Sequence, residues 1–408
     1  MASPQPINIP DNIFSRPVLR TQENKTEVHR KATRLDLFFD LFFVAAISII
    51  SHKFAHGLDH WSWSSLIHAM ISIVSVWRLW TSITYFFERY KTEWLTKRLF
   101  MFIQMFLIAG IGLTMLWGTE AVHLFFLLYG LAKWWLAAMY LWTTHGNKDP
   151  QYCKSTLLQV YGNSIVLIAS IIALFLPWAW TVWMLLIALM FDVLIPIFWQ
   201  STLKSLIPSF EIEIYNERFG LFIIIVLGES ILGAITGVHW ESLHGDTLFL
   251  IGMALLLSFV HWWLYFEYVS QADIIKKHLL SRTYLHLPLT ICFTLISSTV
   301  LYLVEHSQEN NQAALLLLIT CCITVMLIII CFEKITGPYN QLVAKSPNHI
   351  RHMLVPILGM ICLLPNRWLS AQALLWWVTI FAMIPIGIRA YTLSILFKKY
   401  KASKQSLE

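Results

Sequence analysis

The chain has 408 residues, of which 57% are hydrophobic, 14% aromatic and only 13% charged, with a mean hydropathy of +0.64. A water-soluble domain carries about 25% charged residues, so this composition excludes an ordinary soluble enzyme, a disordered chain and a nucleic-acid binder. At roughly 30–35 residues per span and loop, the length accommodates about 12 membrane helices.

Residues 1–33 are polar and mixed in charge, and they lack the short apolar core and cleavage site of a signal peptide, so they read as an N-terminal tail. Apolar runs of helical length follow at 34–51, 63–88, 99–117, 121–143, 157–177, 179–199, 218–238, 247–269, 285–304, 312–333, 349–364 and 370–397. Each approaches the length needed to cross a hydrocarbon core of about 30 Å. The expected fold is an all-α polytopic bundle: a first transmembrane half at 34–199, a connector at 200–217, a second half at 218–397 and a basic tail at 398–408. Trp61, Trp63, Trp117, Trp178, Trp180, Trp240 and Trp368 fall near span ends, where amphipathic rings sit at a bilayer interface.

Lys and Arg give an independent check on these spans. With the N-terminus placed in the cytoplasm, 24 of the 29 basic residues fall in the tails and cytoplasmic loops, against Lys53 and Arg367 on the opposite side. This is the positive-inside bias, and it predicts that both termini are cytoplasmic. The net charge of +6 therefore reflects loops rather than affinity for nucleic acid.

A short internal similarity accompanies the alternation. Arg34, Leu37 and Phe38 open the first span as Arg218, Leu221 and Phe222 open the seventh, and the YFFE ending at Glu88 resembles the LYFE ending at Glu267. The pattern suggests two parallel halves of six helices.

Charged residues inside apolar spans are costly and are normally paired, turned inward or functional. Here they are Asp40, Asp192 and Glu229, with Asp36 near the interface, and the bases Arg78, Lys133 and Arg389. His68, His261 and His286 add groups that titrate near neutrality. Counting residues from the predicted inner ends places Glu229, Arg78 and Lys133 at mid-membrane, and Asp40, Asp192, His261 and Arg389 nearer the inner side. Glu229, Gly233 and Gly237 recur every four residues, giving an acid at the top of a small-residue face. Pro196 lacks the amide that would reach the carbonyl of Asp192, and Pro385 with Gly387 predicts a helix break before Arg389. Ion pairs that only fix helix packing are the competing reading for each charge.

His52, His56 and His60 also recur every four residues, with Asp59 alongside; on one continuous helix they would share a face, but Gly57 argues against continuity and no metal site is assigned. The six cysteines have no paired spacing and read as small apolar fillers. No nucleophile elbow, phosphate loop or zinc-protease motif occurs, and no cofactor is implied.

The stretches TRLDLFFDLFFVAAISIISH at 33–52 and NERFGLFIIIVLGESILG at 216–233 resemble the bacterial low temperature requirement A (LtrA) family. FDVLIPIF at 191–198, WWLYFE at 262–267 and YLHLPL at 284–289 follow in the family's order. The chain departs from it at Asp36, where the family usually carries Glu, and at the TYFFERY end of the second span. The resemblance implies a multi-pass protein of the bacterial inner membrane linked to growth in the cold, a stress response, and it raises Asp40, Asp192, Glu229, His286 and the aromatics beside His261 as candidates.

The functional expectation is a proton- or ion-coupled secondary transporter rather than an enzyme. Its candidate transport and protonation residues are Asp40, Glu229, Asp192, Arg78, His261 and His286, and its partners are the lipid bilayer and protons or small ions. A proton or ion channel, a lipid-modifying or cold-adaptation factor and a non-catalytic scaffold are the alternatives.

Overall fold

The computed structural model describes residues 17–19, 33–92, 94–145, 149–198, 212–238, 244–270, 278–306, 311–335, 349–364 and 370–405. The N-terminal tail up to residue 32 apart from 17–19, the connector residues 200–211, Trp240, Arg367 and Trp368 lie outside them.

Twelve α-helices occupy the described residues: α1 Arg34–His56, α2 Trp63–Arg89, α3 Trp94–Trp117, α4 Val122–Thr144, α5 Pro150–Ala173, α6 Trp178–Phe198, α7 Ile212–Thr236, α8 Gly245–Tyr265, α9 Leu279–Glu305, α10 Gln312–Lys334, α11 His349–Leu363 and α12 Ala371–Gln405. Eleven are long and apolar enough to cross a membrane, and α11 adds a shorter apolar stretch, Leu354–Leu363. All twelve fall on the expected apolar runs, α11 included, although it is too short to count among the eleven. Helices prevail because hydrocarbon offers no partner for backbone N–H and C=O groups, and a helix satisfies them internally. Two-residue strands β1 (Val18–Leu19) and β2 (Tyr90–Lys91) pair antiparallel, a minor addition to an all-α fold.

Local chemistry sets several helix ends. Thr33 and Asp36 cap α1 reciprocally: Asp36 N–H donates to Thr33 Oγ1 at 3.3 Å, and Thr33 N–H donates to Asp36 Oδ2 at 3.0 Å. Gly57 ends α1, and Leu58–His60 form a short 3-10 turn before α2. In the tight α5–α6 hairpin, Thr181 Oγ1 donates to the terminal carbonyl of Ala173 at 3.1 Å. The expected break near Pro385 does not occur, because α12 runs unbroken through it. A transmembrane helix tolerates proline when neighbouring groups take up the backbone polarity, and Tyr268 Oη donates to the Pro385 carbonyl at 2.9 Å.

The chain divides into two compact units, one of residues 1–49 and 71–217, the other of 50–70 and 218–408. The second thus includes the tip of the first hairpin. Within the first unit, Gly130 on α4 lies against Ser170 and Leu167 of α5, an approach that leaves no room for a side chain. Within the second, α9 is the most buried of the long apolar helices, every residue from Cys292 to Val304 being buried. Its hydroxyls satisfy themselves: Thr290, Thr294, Ser297, Ser298 and Thr299 each donate to the carbonyl four residues earlier, at 2.8–2.9 Å.

Each unit also turns large apolar side chains outward, among them Phe106 and Phe175 in the first and Phe259 and Leu358 in the second. Such a surface is natural only against acyl chains. Trp63, Trp117, Trp178 and Trp180 are exposed at helix ends, as an interfacial belt requires. None of the six cysteines forms a disulfide; Cys292, Cys321 and Cys322 are buried, while Cys331 and Cys362 face outward.

Candidate functional site

The polar residues within the helices sort into groups with different electrostatic character. In the first unit, Asp192 on α6 is held by two cations and a phenol. Arg78 Nη2 lies 3.2 Å and Lys133 Nζ 2.8 Å from Asp192 Oδ1, and Tyr129 Oη donates to Oδ2 at 2.8 Å. Arg78 Nε also donates to the backbone carbonyl of Asp192 at 3.0 Å. That carbonyl is the one Pro196 cannot serve, so the acid and the carbonyl foreseen at this point are read together by one guanidinium. Ser82 adds a hydroxyl 2.6 Å from Arg78 Nη1.

This cluster corrects the expected depth grouping, which put Arg78 and Lys133 with Glu229 and placed Asp192 on a lower level. Counted from their first residues, Arg78 lies 15 residues into α2, Asp192 14 into α6 and Lys133 11 into α4. At 1.5 Å per residue the three levels agree within about 6 Å, a gap that long side chains close.

Two further acids of this unit have defined partners. Asp40 is fully buried and accepts a 2.8 Å hydrogen bond from Trp80 Nε1 at Oδ1. Asp36 Oδ1 lies 2.7 Å from Lys97 Nζ.

The second unit holds Glu229. Its side chain is 3% exposed, and Oε1 lies 3.2 Å from Nδ1 of His52 at the end of α1. Gly233 faces Leu301 and the Ser297 carbonyl, and Gly237 faces Glu305 and Leu301, so the small face of α7 lies directly on α9. Hydroxyl pairs flank the acid: Ser230 with Ser297 at 2.5 Å, and Ser51 with Ser298 at 3.0 Å. Polar groups of α1, α7 and α9 thus meet next to Glu229 in sequence, in otherwise apolar spans.

The other candidate histidines of this unit are buried in aromatic surroundings. His286 donates through Nδ1 to the Arg282 carbonyl at 2.8 Å, which leaves Nε2 to accept from Tyr265 Oη at 3.1 Å. Its ring lies between Phe219 and Phe332. His261 donates from Nδ1 to the Leu257 carbonyl at 2.9 Å and packs edge-on to Phe293, while Nε2 has no hydrogen-bond partner among the described residues. The structure brings neither to Glu229 by any of these contacts.

Arg389 also joins a group that depth counting did not foresee. Its Nε donates to Glu267 Oε1 at 2.8 Å, its Nη1 lies 3.9 Å from Glu333, and its guanidinium sits 4.4 Å from the Tyr268 ring centroid. Glu267 and Tyr268 lie in a π-helical turn, Phe266–Ser270, that continues α8. The recurring acid of the internal similarity was the available signal for Glu267.

Sequence spacing singled out His52, His56 and Asp59, but missed Glu305 and His306 as their partners. His56 Nδ1 lies 3.7 Å from Glu305 Oε2, and His306 Nε2 lies 3.6 Å from Asp59 Oδ1. His60 falls beyond α1, on the 3-10 turn. Among the described residues no group of three or more His, Cys, Asp or Glu side chains converges as a metal site.

The motif-bearing stretches thus lie on α1, α6, α7, α8 and α9, next to these polar groups. Over residues 31–388, the sequence matches the family described as Bacterial low temperature requirement A protein (LtrA). The chain belongs to the LtrA family. A comparison with individually curated proteins finds no match. Family membership and the eleven long apolar helices together make this LtrA chain a multi-pass integral membrane protein.

Proposed function

We propose that this LtrA chain is a proton-linked permeation protein of the bacterial inner membrane, most simply a secondary transporter, in which Glu229 is the protonation site. The observation that carries this reading is the identity of the partner. Glu229 lies deep in a membrane helix beside an imidazole, whose two ring nitrogens can accept a proton on one side and donate one on the other. Asp192, by contrast, is held between a guanidinium and an ammonium group, an arrangement suited to a permanently ionised acid.

Within this reading, Asp192, Arg78 and Lys133 brace the first unit. Asp40, which accepts a hydrogen bond from an indole N–H, remains a second candidate for proton binding. His286 is a packing group because both its nitrogens are engaged, and His261 keeps one nitrogen available to a proton or a small ligand. Cytoplasmic placement of both termini belongs to the same proposal, supported by the Lys and Arg distribution. The family description suggests a role during growth in the cold.

Infrared titration of the purified protein in lipid bilayers tests the assignment. A protonated-carboxyl band that titrates in the wild type and disappears in Glu229→Gln is expected. Its absence from the wild type would end the proposal. Proteoliposomes then separate mechanisms, since a transporter shows saturation and exchange whereas a channel shows neither.

A further inference from the structure

Three histidine–carboxylate pairs line one end of the second unit. Glu229 pairs with His52, Glu305 with His56, and Asp59 with His306. The chain itself links them. His52 and His56 are one turn apart on α1, a rise of about 6 Å, so a proton passing between them would travel through water. Glu305 and His306 are chain neighbours at the end of α9. Side-chain exposure is 65% at His56, 40% at Asp59, 34% at His52, 27% at His306 and 17% at Glu305, and falls to 3% at Glu229.

The fold holds these groups in place. Asn311 caps α10 by accepting from the amides of Ala313 and Ala314, and its Nδ2 donates to the Leu58 carbonyl at 2.9 Å and to Tyr302 Oη at 3.0 Å. This clamp fixes the 3-10 turn that carries Asp59. His306 stacks on Tyr302 and commits Nδ1 as a donor to the Tyr302 carbonyl at 3.2 Å. It can therefore donate to Asp59 from Nε2 only as the doubly protonated imidazolium. Gly237 lets α7 approach Glu305 closely. Other charged and titratable groups on the described residues of these elements include His60 on the turn that carries Asp59, Lys53 on α1 and His68 on α2, the last two interacting electrostatically with each other.

We propose that these three pairs form a proton-uptake relay that serves Glu229 from the end of the unit bearing Asp59 and His56. The proposal rests on the reading of Glu229 as a protonation site. A proton captured at Asp59 and His306 passes to Glu305 and His56, and then to Nε2 of His52. His52 releases its Nδ1 proton to Glu229 Oε1, converting the carboxylate to a carboxylic acid, and returns to its starting tautomer by exchange with water. Only N–H and O–H bonds form and break, and one proton is delivered per cycle.

The test is a time-resolved infrared measurement on the full-length protein in bilayers, following the Glu229 carboxyl band after a light-triggered proton pulse. His56→Gln and Glu305→Gln are expected to slow the rise of the band by about tenfold or more, as loss of a positioned proton-transfer group does, while leaving its pH midpoint unchanged. An unchanged rate overturns the relay while leaving Glu229 as the protonation site, and so does a shifted midpoint at unchanged rate, which marks a purely electrostatic role. If the wild type shows no Glu229 band between about pH 4 and 9, the underlying reading of Glu229 fails and the relay falls with it. Asp59→Asn combined with His306→Gln, two changes outside the membrane helices, gives the same comparison should either inner variant fail to fold; here too a slower rise supports the relay and an unchanged rise overturns it.

Discussion

Arg78 holds Asp192 twice, through the carboxylate at 3.2 Å and through the backbone carbonyl at 3.0 Å. The second contact exists because Pro196, four residues on, has no amide to donate to that carbonyl. A proline that would weaken a soluble helix thus creates the acceptor that ties α6 to α2.

This geometry ranks the effects of substitutions in the cluster. Asp192→Asn leaves Arg78 and Lys133 buried without their shared anion, and a loss of about 3–5 kcal/mol is expected. Lys133→Met removes one cation while Arg78 and Tyr129 still satisfy the acid, so a smaller loss is expected. Thermal unfolding in detergent measures both, and an inverted order would refute the assignment of Asp192 as the hub.

The face of α7 that positions Glu229 makes a second ranking. A Cβ at Gly233 would lie 3.1 Å from Leu301 Cβ, and one at Gly237 3.2 Å from Glu305 Cγ, whereas one at Gly228 meets nothing within 4 Å. Gly233→Leu should cost about 1–3 kcal/mol by overpacking. Gly228→Ala should be neutral or stabilise by up to about 1 kcal/mol through helix propensity. The same unfolding assay compares them.

Asn311 combines a helix cap with a clamp on the neighbouring turn. Asn311→Ala should lose about 1–2 kcal/mol and speed amide hydrogen exchange around residues 57–60. Unchanged exchange there would show that the clamp does not order the turn.

Tyr265 supplies the hydrogen-bond donor for His286 Nε2, both groups being buried. Tyr265→Phe removes it at constant shape, and a loss of about 1–3 kcal/mol is expected from the unsatisfied nitrogen. His286→Phe in the same background should recover part of that loss, because it removes the orphaned polar atom. A double-mutant cycle gives the coupling.

Much of the polar architecture could be foreseen as composition and little of it as pairing. Glu229 stood out because it interrupts an apolar run beside two spaced glycines, and Asp192 because a proline followed at the right interval. Their partners were hidden for different reasons. Lys133 and Arg78 reach Asp192 from two other helices, and their long side chains bridge a difference in level that residue counts along each helix read as separation. His52 pairs with Glu229 from a helix distant in sequence, and nothing in either local pattern specifies that meeting. Glu305 and His306 were visible as an adjacent acid and histidine at a span end, yet only their nearness to His56 and Asp59 gives them a role.

The amino-acid order alone determined that this is a helical membrane protein of about a dozen spans, since hydrocarbon accepts neither bare backbone polar groups nor a sparsely charged soluble surface. It also marked which helices carry charges that lipid would penalise. Which charges meet was decided by the tertiary structure. Pairing depends on helix rotation, stagger and neighbour choice, and these follow from contacts such as Gly233 on Leu301 and Gly130 on Ser170, in which small residues admit one partner helix at one register.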